Sequence, residues 1–246
     1  MRKISLVEHF YSIQGEGMLS GVPSIFLRFG GCNLRCEGFK TKYTLNGIEK
    51  FGCDSYYAVD KGFSKNWKDI DNIENILSIY NSRIKDIVIT GGEPLIYANN
   101  PLFLKMLRIL KNRGFRITIE TNGTIFLEDR YEFKDIIYSI ALKLSNSQEN
   151  FNKRFNIDSI HSILDKGKNS FFKFTLSKNY ITKGASFEIL KMVRFFPKVP
   201  IYCMPIGSDI DELEANAEAV IQLCLEQGFI YSDRLQIRVW NNKKGC

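Results

Sequence analysis

Cys32, Cys36 and Cys53 fall within one short stretch of the chain, as G-C-N-L-R-C, then sixteen residues, then C-D-S. Three thiolates in one segment are a ligand set that leaves something open. A structural zinc site is closed by four ligands, and an iron–sulfur cluster is ordinarily held by four cysteines. With three, one metal position stays free for a substrate or cofactor. The competing reading is three unrelated thiols, some of them in the core, because free cysteine packs as a small hydrophobe. The sixteen-residue gap is long for a metal motif and keeps that reading alive.

A second stretch with chemical potential is Gly91-Gly92-Glu93-Pro94, directly after the apolar run Asp86–Thr90. Two glycines let a backbone edge approach a ligand without Cβ interference. The end of the strand presents carbonyls to an amino group, and the proline stiffens the turn. Alone, a glycine-rich turn after a strand is unspecific; one strand away from three clustered cysteines it gains meaning.

The elements that must position these groups alternate between strand and helix. Ser24–Phe29 reads as an apolar strand leading into the cysteines. Tyr43–Phe51 reads as a hairpin turning at Asn46-Gly47. Asp71 is a candidate cap for a helix with Ile73, Ile76, Leu77 and Tyr80 on one face. Pro101 opens the next helix, with Leu104, Leu107 and Leu110 along one side and Gly114 past its end. Further strands are expected at Phe115–Glu120, Ile136–Leu142, Phe171–Leu176, Val199–Met204 and Leu235–Val239. Helices are expected at Asp158–Asp165, Ser186–Phe196 and Asp209–Gln227. Such alternation predicts an α/β fold of parallel β/α units. In a barrel of such units function gathers at the C-terminal ends of strands. The cysteines, Gly91–Pro94, Glu120–Gly123 and Lys143 all follow predicted strands, which argues for one shared site.

The chain of 246 residues is 44% hydrophobic and 13% aromatic, enough for one large buried core. Even Gly/Pro punctuation and the lack of repeats predict a single domain over residues 1–246. No apolar run reaches the ~18 residues of a membrane span, and Glu8 and His9 interrupt any signal-peptide core. A cytoplasmic location is therefore expected, where clustered cysteines point to metal or redox chemistry over disulfides. The net charge of +7 is spread without a dense basic run. The charge would serve a nucleic-acid partner and suits an anionic small-molecule substrate equally well, and its even spread favours a solvated basic surface over nucleic-acid binding. His9 and His161 lack partners at metal spacing. Cys203 and Cys224, on an apolar strand and a helix face, are expected core residues.

Three cysteines followed by G-G-E-P resemble the radical S-adenosylmethionine (radical SAM) superfamily. Within it, the segments F-Y-S-I-Q-G-E-G (10–17), G-V-P (21–23) and F-L-R-F-G-G-C-N-L (26–34) resemble the 7-carboxy-7-deazaguanine synthases. So do C-D-S (53–55), T-G-G-E-P-L (90–95) and E-T-N-G (120–123). The likeness is dense over residues 8–146 and thin beyond. It implies an incomplete, partial TIM-type β/α barrel of the radical SAM type. It also implies a [4Fe-4S] cluster, S-adenosylmethionine and Mg²⁺ as cofactors. The implied reaction converts 6-carboxy-5,6,7,8-tetrahydropterin to 7-carboxy-7-deazaguanine with release of ammonia, on the route to queuosine and other 7-deazapurines. A 5′-deoxyadenosyl radical abstracts hydrogen from the pterin and is then regenerated. A flavodoxin- or ferredoxin-like reductant and a homodimer belong to the same expectation.

Carried over by residue, the resemblance makes Cys32, Cys36 and Cys53 the cluster ligands. Ile13, Gln14, Gly15 and Glu16 fall on the segment that contacts the pterin. Arg28 matches the arginine that pairs with its carboxylate, and Thr90 a further substrate contact. Gln14 offers both donor and acceptor to an amide-bearing ring, and Arg28 offers a fork to a carboxylate. Gly92 and Glu93 match the turn that supports the cofactor's amino group, and Glu120 is assigned to the cofactor ribose. Ala141, Leu142 and Lys143 stand where the family has an S-P-K cofactor segment, of which only the lysine is kept. Ser55 matches a hydroxyl ligand of Mg²⁺. Cys246 ends the chain, where relatives bring a carboxylate near the site.

The departure is the loop between the second and third cysteines: two residues in the usual superfamily pattern, sixteen here. A hairpin inserted at about residues 37–52 would return Cys53 to its partners. Two rivals stay open at this point. A glycyl-radical-enzyme activase shares the three cysteines but needs a protein partner, against which Gln14–Gly17 and Arg28 speak. A zinc-stabilised nucleic-acid-binding module would be colourless where a cluster protein is brown.

Overall fold

The computed structural model describes residues 3–70 and 72–243. Eleven strands lie among them: β1 Ser5–Ile13, β2 Pro23–Phe29, β3 Thr41–Leu45, β4 Ile48–Gly52, β5 Lys68–Asp69, β6 Asp86–Gly91, β7 Arg116–Thr121, β8 Ile137–Ile140, β9 Phe171–Leu176, β10 Ile201–Pro205 and β11 Ile230–Tyr231. Nine form one sheet in the order β11-β10-β9-β8-β7-β6-β2-β1-β5. From β2 to β11 neighbours run parallel, and β1 and β5 add antiparallel strands at one edge. This is the expected incomplete barrel, extended by a first strand that the sequence pattern does not reveal.

Strand register separates two faces, because side chains alternate. Ile25, Ile87 and Ile117 align across β2, β6 and β7, as do Leu27, Ile89 and Ile119 one pleat on. All six are buried against the helices. The intervening positions point the other way: Glu8 pairs with Arg28, and Arg28 with Thr90. Three adjacent strands thus carry a polar row into the barrel interior while their other face makes the core.

The helix Pro101–Asn112 shows how the outer layer is held. Asn100 caps it by accepting the Leu102 N–H at 2.9 Å, and Pro101 starts it with a preset φ. Gly114, at φ +74°, turns the chain out of it. Phe103, Leu107 and Leu110 are fully buried against the sheet, each contributing roughly 1.5–3 kcal/mol by burial. Helices Ile157–Leu164, Ala185–Val193 and Ile210–Gln227 complete the layer.

The expected hairpin is present, with β3 and β4 paired in register. Asn46 and Gly47 both take positive φ, +52° and +76°, as a tight two-residue turn requires. Two readings need correction. The helix Ile73–Leu77 is capped by Asn72, whose side chain accepts the Glu74 N–H at 2.9 Å; Asp71 lies outside the described residues, as does Cys246. The stretch expected as a strand at Leu235–Val239 is a helix, Leu235–Trp240. Its L-Q-I-R-V alternation mimics a strand, but the Leu235 N–H is taken by Gly15 O at 2.9 Å and Asn241 N–H closes onto Ile237 O at 2.8 Å. Cys203 and Cys224 are core residues. Among the described residues no helix is long and apolar enough to cross a membrane.

Candidate active site

The β2 strand ends at Phe29 and delivers Gly30, Gly31 and Cys32 to the C-terminal rim of the sheet. Cys36 takes a left-handed conformation, φ 52°, and its N–H donates to Glu149 Oε1 at 3.0 Å; the Arg35 N–H donates to the same oxygen. The inserted hairpin then returns the chain to Cys53. It is fixed by Asp60, which accepts Tyr43 Oη at 3.0 Å and Lys50 Nζ at 2.8 Å, and by Tyr43 stacked on Tyr56 at 4.4 Å. None of the three cysteines is in a disulfide.

Burial, and then neighbouring charge, pushes these thiols up. Cys32 reaches about 12 through burial, Glu93 and the other two thiols. Cys53 reaches about 12 through burial, Asp54 and Cys36, and Cys36 moves the same way. The three sense one another, yet among the described residues no His, Cys, Asp or Glu side chains converge in threes as ligands of one ion would. Three thiols are one short of the four that usually hold an iron–sulfur cluster, so a cluster held here would keep one position for another ligand. Deprotonating the thiols needs positive charge, which bound iron would supply and to which the Lys143 ammonium adds by lowering Cys36 and Cys53.

Gly91 and Gly92 make room for protein backbone. A Cβ on Gly92 would sit 2.2 Å from Gly31 O and 2.9 Å from Cys32 Cβ, and one on Gly91 2.1 Å from Phe29 O. Gly92 N–H donates to Phe29 O at 3.1 Å and Glu93 N–H to Gly31 O at 2.8 Å. The turn and the first cysteine are thus one locked unit. Glu93, expected as a cofactor contact, is fully buried and serves as its latch. Its Oε1 accepts Leu95 N–H at 3.0 Å and Thr121 Oγ1 at 2.8 Å; its Oε2 accepts Asn122 N–H at 2.6 Å. Burial raises this carboxyl to about 7 against those bonds. Asn122 also donates to Asn33 Oδ1 at 2.9 Å, tying the E-T-N-G turn to the cysteine loop.

The polar row fills the barrel interior. Arg28 Nε donates to Glu8 Oε1 at 2.7 Å. Burial works against this guanidinium's charge, but Tyr57 and Glu8 raise it overall. Thr90 Oγ1 donates to Glu120 Oε2 at 2.8 Å. Lys173, on β9, donates to Glu120 Oε1 at 3.3 Å and to Glu16 Oε2 at 2.9 Å. Glu16 Oε1 also accepts Arg234 Nε at 3.0 Å and Gln236 Nε2 at 2.9 Å. Burial alone would raise the Glu16 carboxyl; Lys173 and Arg234 outweigh it and hold it well below the usual range.

Other predicted residues cluster around this row. Ile13 ends β1, and Gln14 is buried with its Oε1 accepting Glu16 N–H at 3.2 Å. Gly15 packs on Gln236, whose Oε1 is buried without a hydrogen-bond partner among the described residues. Ala141 N–H donates to Thr121 O at 2.7 Å, Leu142 is buried, and Lys143 faces the thiols. Ser55 lies beside the last cysteine and its hydroxyl donates to Asp54 Oδ1 at 3.3 Å. His9 pairs with Tyr80 and His161 packs on Phe196.

Glu8, Glu149, Lys173, Arg234 and Gln236 are site neighbours that sequence reading misses. Only Lys173 carried a signal, as a lone charge inside the apolar strand F-F-K-F-T-L.

The profile of the Radical SAM superfamily matches residues 27–165, from β2 to the helix Ile157–Leu164. A 7-carboxy-7-deazaguanine synthase of Clostridium acetobutylicum is 30% identical, covering 98% of both chains. One of Rhodopirellula baltica is 28% identical over 97% of this chain and 87% of its own. The crystal structure of QueE from Escherichia coli shares the fold, with a TM-score of 0.63 at 23% identity over 95% of this chain and 94% of that one. On these matches the chain belongs to the radical SAM superfamily and, within it, to the 7-carboxy-7-deazaguanine synthases.

Proposed function

We propose that this chain converts 6-carboxy-5,6,7,8-tetrahydropterin to 7-carboxy-7-deazaguanine with release of ammonia, feeding 7-deazapurine biosynthesis. The observation that carries the reading is the meeting of three free thiols with the G-G-E-P turn and Lys143, directly above a charged barrel interior. In this reading Cys32, Cys36 and Cys53 hold the [4Fe-4S] cluster, and the hairpin at residues 37–52 is an insertion within one domain. The cluster and S-adenosylmethionine, when bound, supply the radical chemistry.

The chain's own residues bind, orient and exclude water. Arg28 keeps its two terminal nitrogens for the pterin carboxylate while Glu8 fixes its Nε. Ile13–Glu16 and Thr90 line the pterin side. Gly92, Glu93, Glu120 and the 141–143 segment serve the cofactor side, Glu93 by holding the turn in shape. Ser55 contributes an oxygen to Mg²⁺ beside the substrate carboxylate. A flavodoxin- or ferredoxin-like reductant, a homodimer and a cytoplasmic location complete the proposal. The activase and zinc-module readings are not favoured, since both lack a use for the Arg28–Thr90–Glu120 row.

Anaerobic reconstitution followed by incubation with the pterin, S-adenosylmethionine and a reductant tests this. The expected result is a brown protein that forms 7-carboxy-7-deazaguanine and ammonia. A colourless, zinc-loaded protein without turnover would overturn it.

A further inference from the structure

Four strands separate β9 from β1 in the sheet, yet Glu16, three residues past β1, reaches Lys173 of β9 at 2.9 Å. The barrel is therefore drawn together here by side chains and loops. Gly17 N–H donates to Ser232 Oγ at 2.8 Å and Leu235 N–H to Gly15 O at 2.9 Å across the same seam. Lys173 is 8% exposed, and a buried ammonium persists only where it is paired. One carboxylate would satisfy that need. Lys173 has two, Glu16 from the loop after β1 and Glu120 from β7.

The two carboxylates are not equally provided for. Glu16 also holds Arg234 and Gln236, so it keeps a cation without Lys173. Glu120 has only the Thr90 hydroxyl besides, as a hydrogen-bond partner among the described residues. Its side chain retains 22% exposure. A partly exposed carboxylate with lone pairs to spare, fixed by one lysine and one threonine, is built to accept a further hydrogen bond in one direction.

We propose that Lys173 is a positioning residue that aims Glu120 at the cofactor and, through Glu16, ties the cofactor side of the site to the pterin side. The proposal rests on the reading above, in which Glu120 serves the cofactor and Ile13–Glu16 the pterin. Arg28, which also senses Glu120, and Asp54, which meets Arg234 at 3.5 Å, are the next charges outward. Lys173 itself touches neither ligand; it acts through the two carboxylates.

The test is equilibrium binding of S-adenosylmethionine and of 6-carboxytetrahydropterin to the reconstituted protein, without reductant. Lys173→Gln should weaken S-adenosylmethionine at least about tenfold and the pterin by a smaller factor, at parental iron content and cluster absorbance. Glu120→Gln should weaken S-adenosylmethionine alone. The double variant should be no worse than the poorer single, because both changes act through one contact. Parental affinities in Lys173→Gln, or losses that multiply in the double variant, would overturn the proposal. Should Lys173→Gln not fold, Lys173→Met with Glu16→Gln removes one charge of each sign. Its S-adenosylmethionine affinity should again fall about tenfold, and a parental value would overturn the proposal. A parent protein that binds neither ligand would instead sink the functional reading, and the proposal with it.

Discussion

Arg28 Nε and Tyr57 Oη both donate to one oxygen of Glu8, at 2.7 and 3.1 Å. Glu8 thereby fixes the guanidinium by its inner nitrogen, which leaves the outer two for another partner. The arginine is neutralised before any ligand arrives, which offsets the cost of burying it.

On the proposed reading the Arg28 fork makes a charge-assisted contact to the pterin carboxylate, worth about 2–4 kcal/mol in a desolvated site. Arg28→Ala should weaken pterin binding roughly thirty-fold or more, with the cluster spectrum unchanged. Equal affinity in variant and parent would take Arg28 out of the site.

Glu93 offers a pH test. Its folded carboxyl is raised to about 7 from 4.5, so the unfolded chain ionises first. The metal-free protein should therefore be most stable, on this account, below pH 4.5, and lose stability as pH rises through 7. Glu93→Gln abolishes that titration. Its unfolding free energy minus that of the parent, from urea denaturation, should rise by about 2–3 kcal/mol between pH 5 and pH 8. A difference independent of pH would show that Glu93 is not held protonated by burial.

Much of this site is legible in sequence as motif and little as contact. Asn46-Gly47 announces its hairpin because both positions need positive φ. The apolar strands announce themselves by their buried runs. The first strand, Ser5–Ile13, does not, because Glu8 and Ser12 turn into a polar interior that breaks the hydrophobic signal. Gly91 and Gly92 read as a backbone edge without Cβ interference toward a ligand; the same lack of Cβ lets Phe29 and Gly31 pack against them, which no local pattern shows. Glu93 reads as a ligand contact, whereas its oxygens are used by Thr121, Asn122 and Leu95. Lys173 and Arg234 lie 157 and 218 residues from Glu16. No local pattern connects groups so far apart in the chain.

Ser55 separates the Mg²⁺ assignment from a structural one. A hydroxyl is a weak ligand alone, but Mg²⁺ accepts substrate oxygens and water in its remaining positions. Ser55 donates to Asp54, so a purely local role would leave turnover indifferent to the metal. The expected outcome is turnover that rises with added Mg²⁺, falls in Ser55→Ala and is largely kept in Ser55→Thr. Parental activity and metal response in Ser55→Ala would count against it.

The proposed function requires Cys32, Cys36 and Cys53 to form one cluster site across the sixteen residues between the last two. Iron content and S-adenosylmethionine cleavage in Cys53→Ala, reconstituted beside Cys203→Ala, test it most directly. The account predicts that Cys53→Ala loses cleavage and cluster iron, while Cys203→Ala, changed only in the core, keeps its full iron complement. A Cys53→Ala protein with full iron and parental cleavage would contradict it.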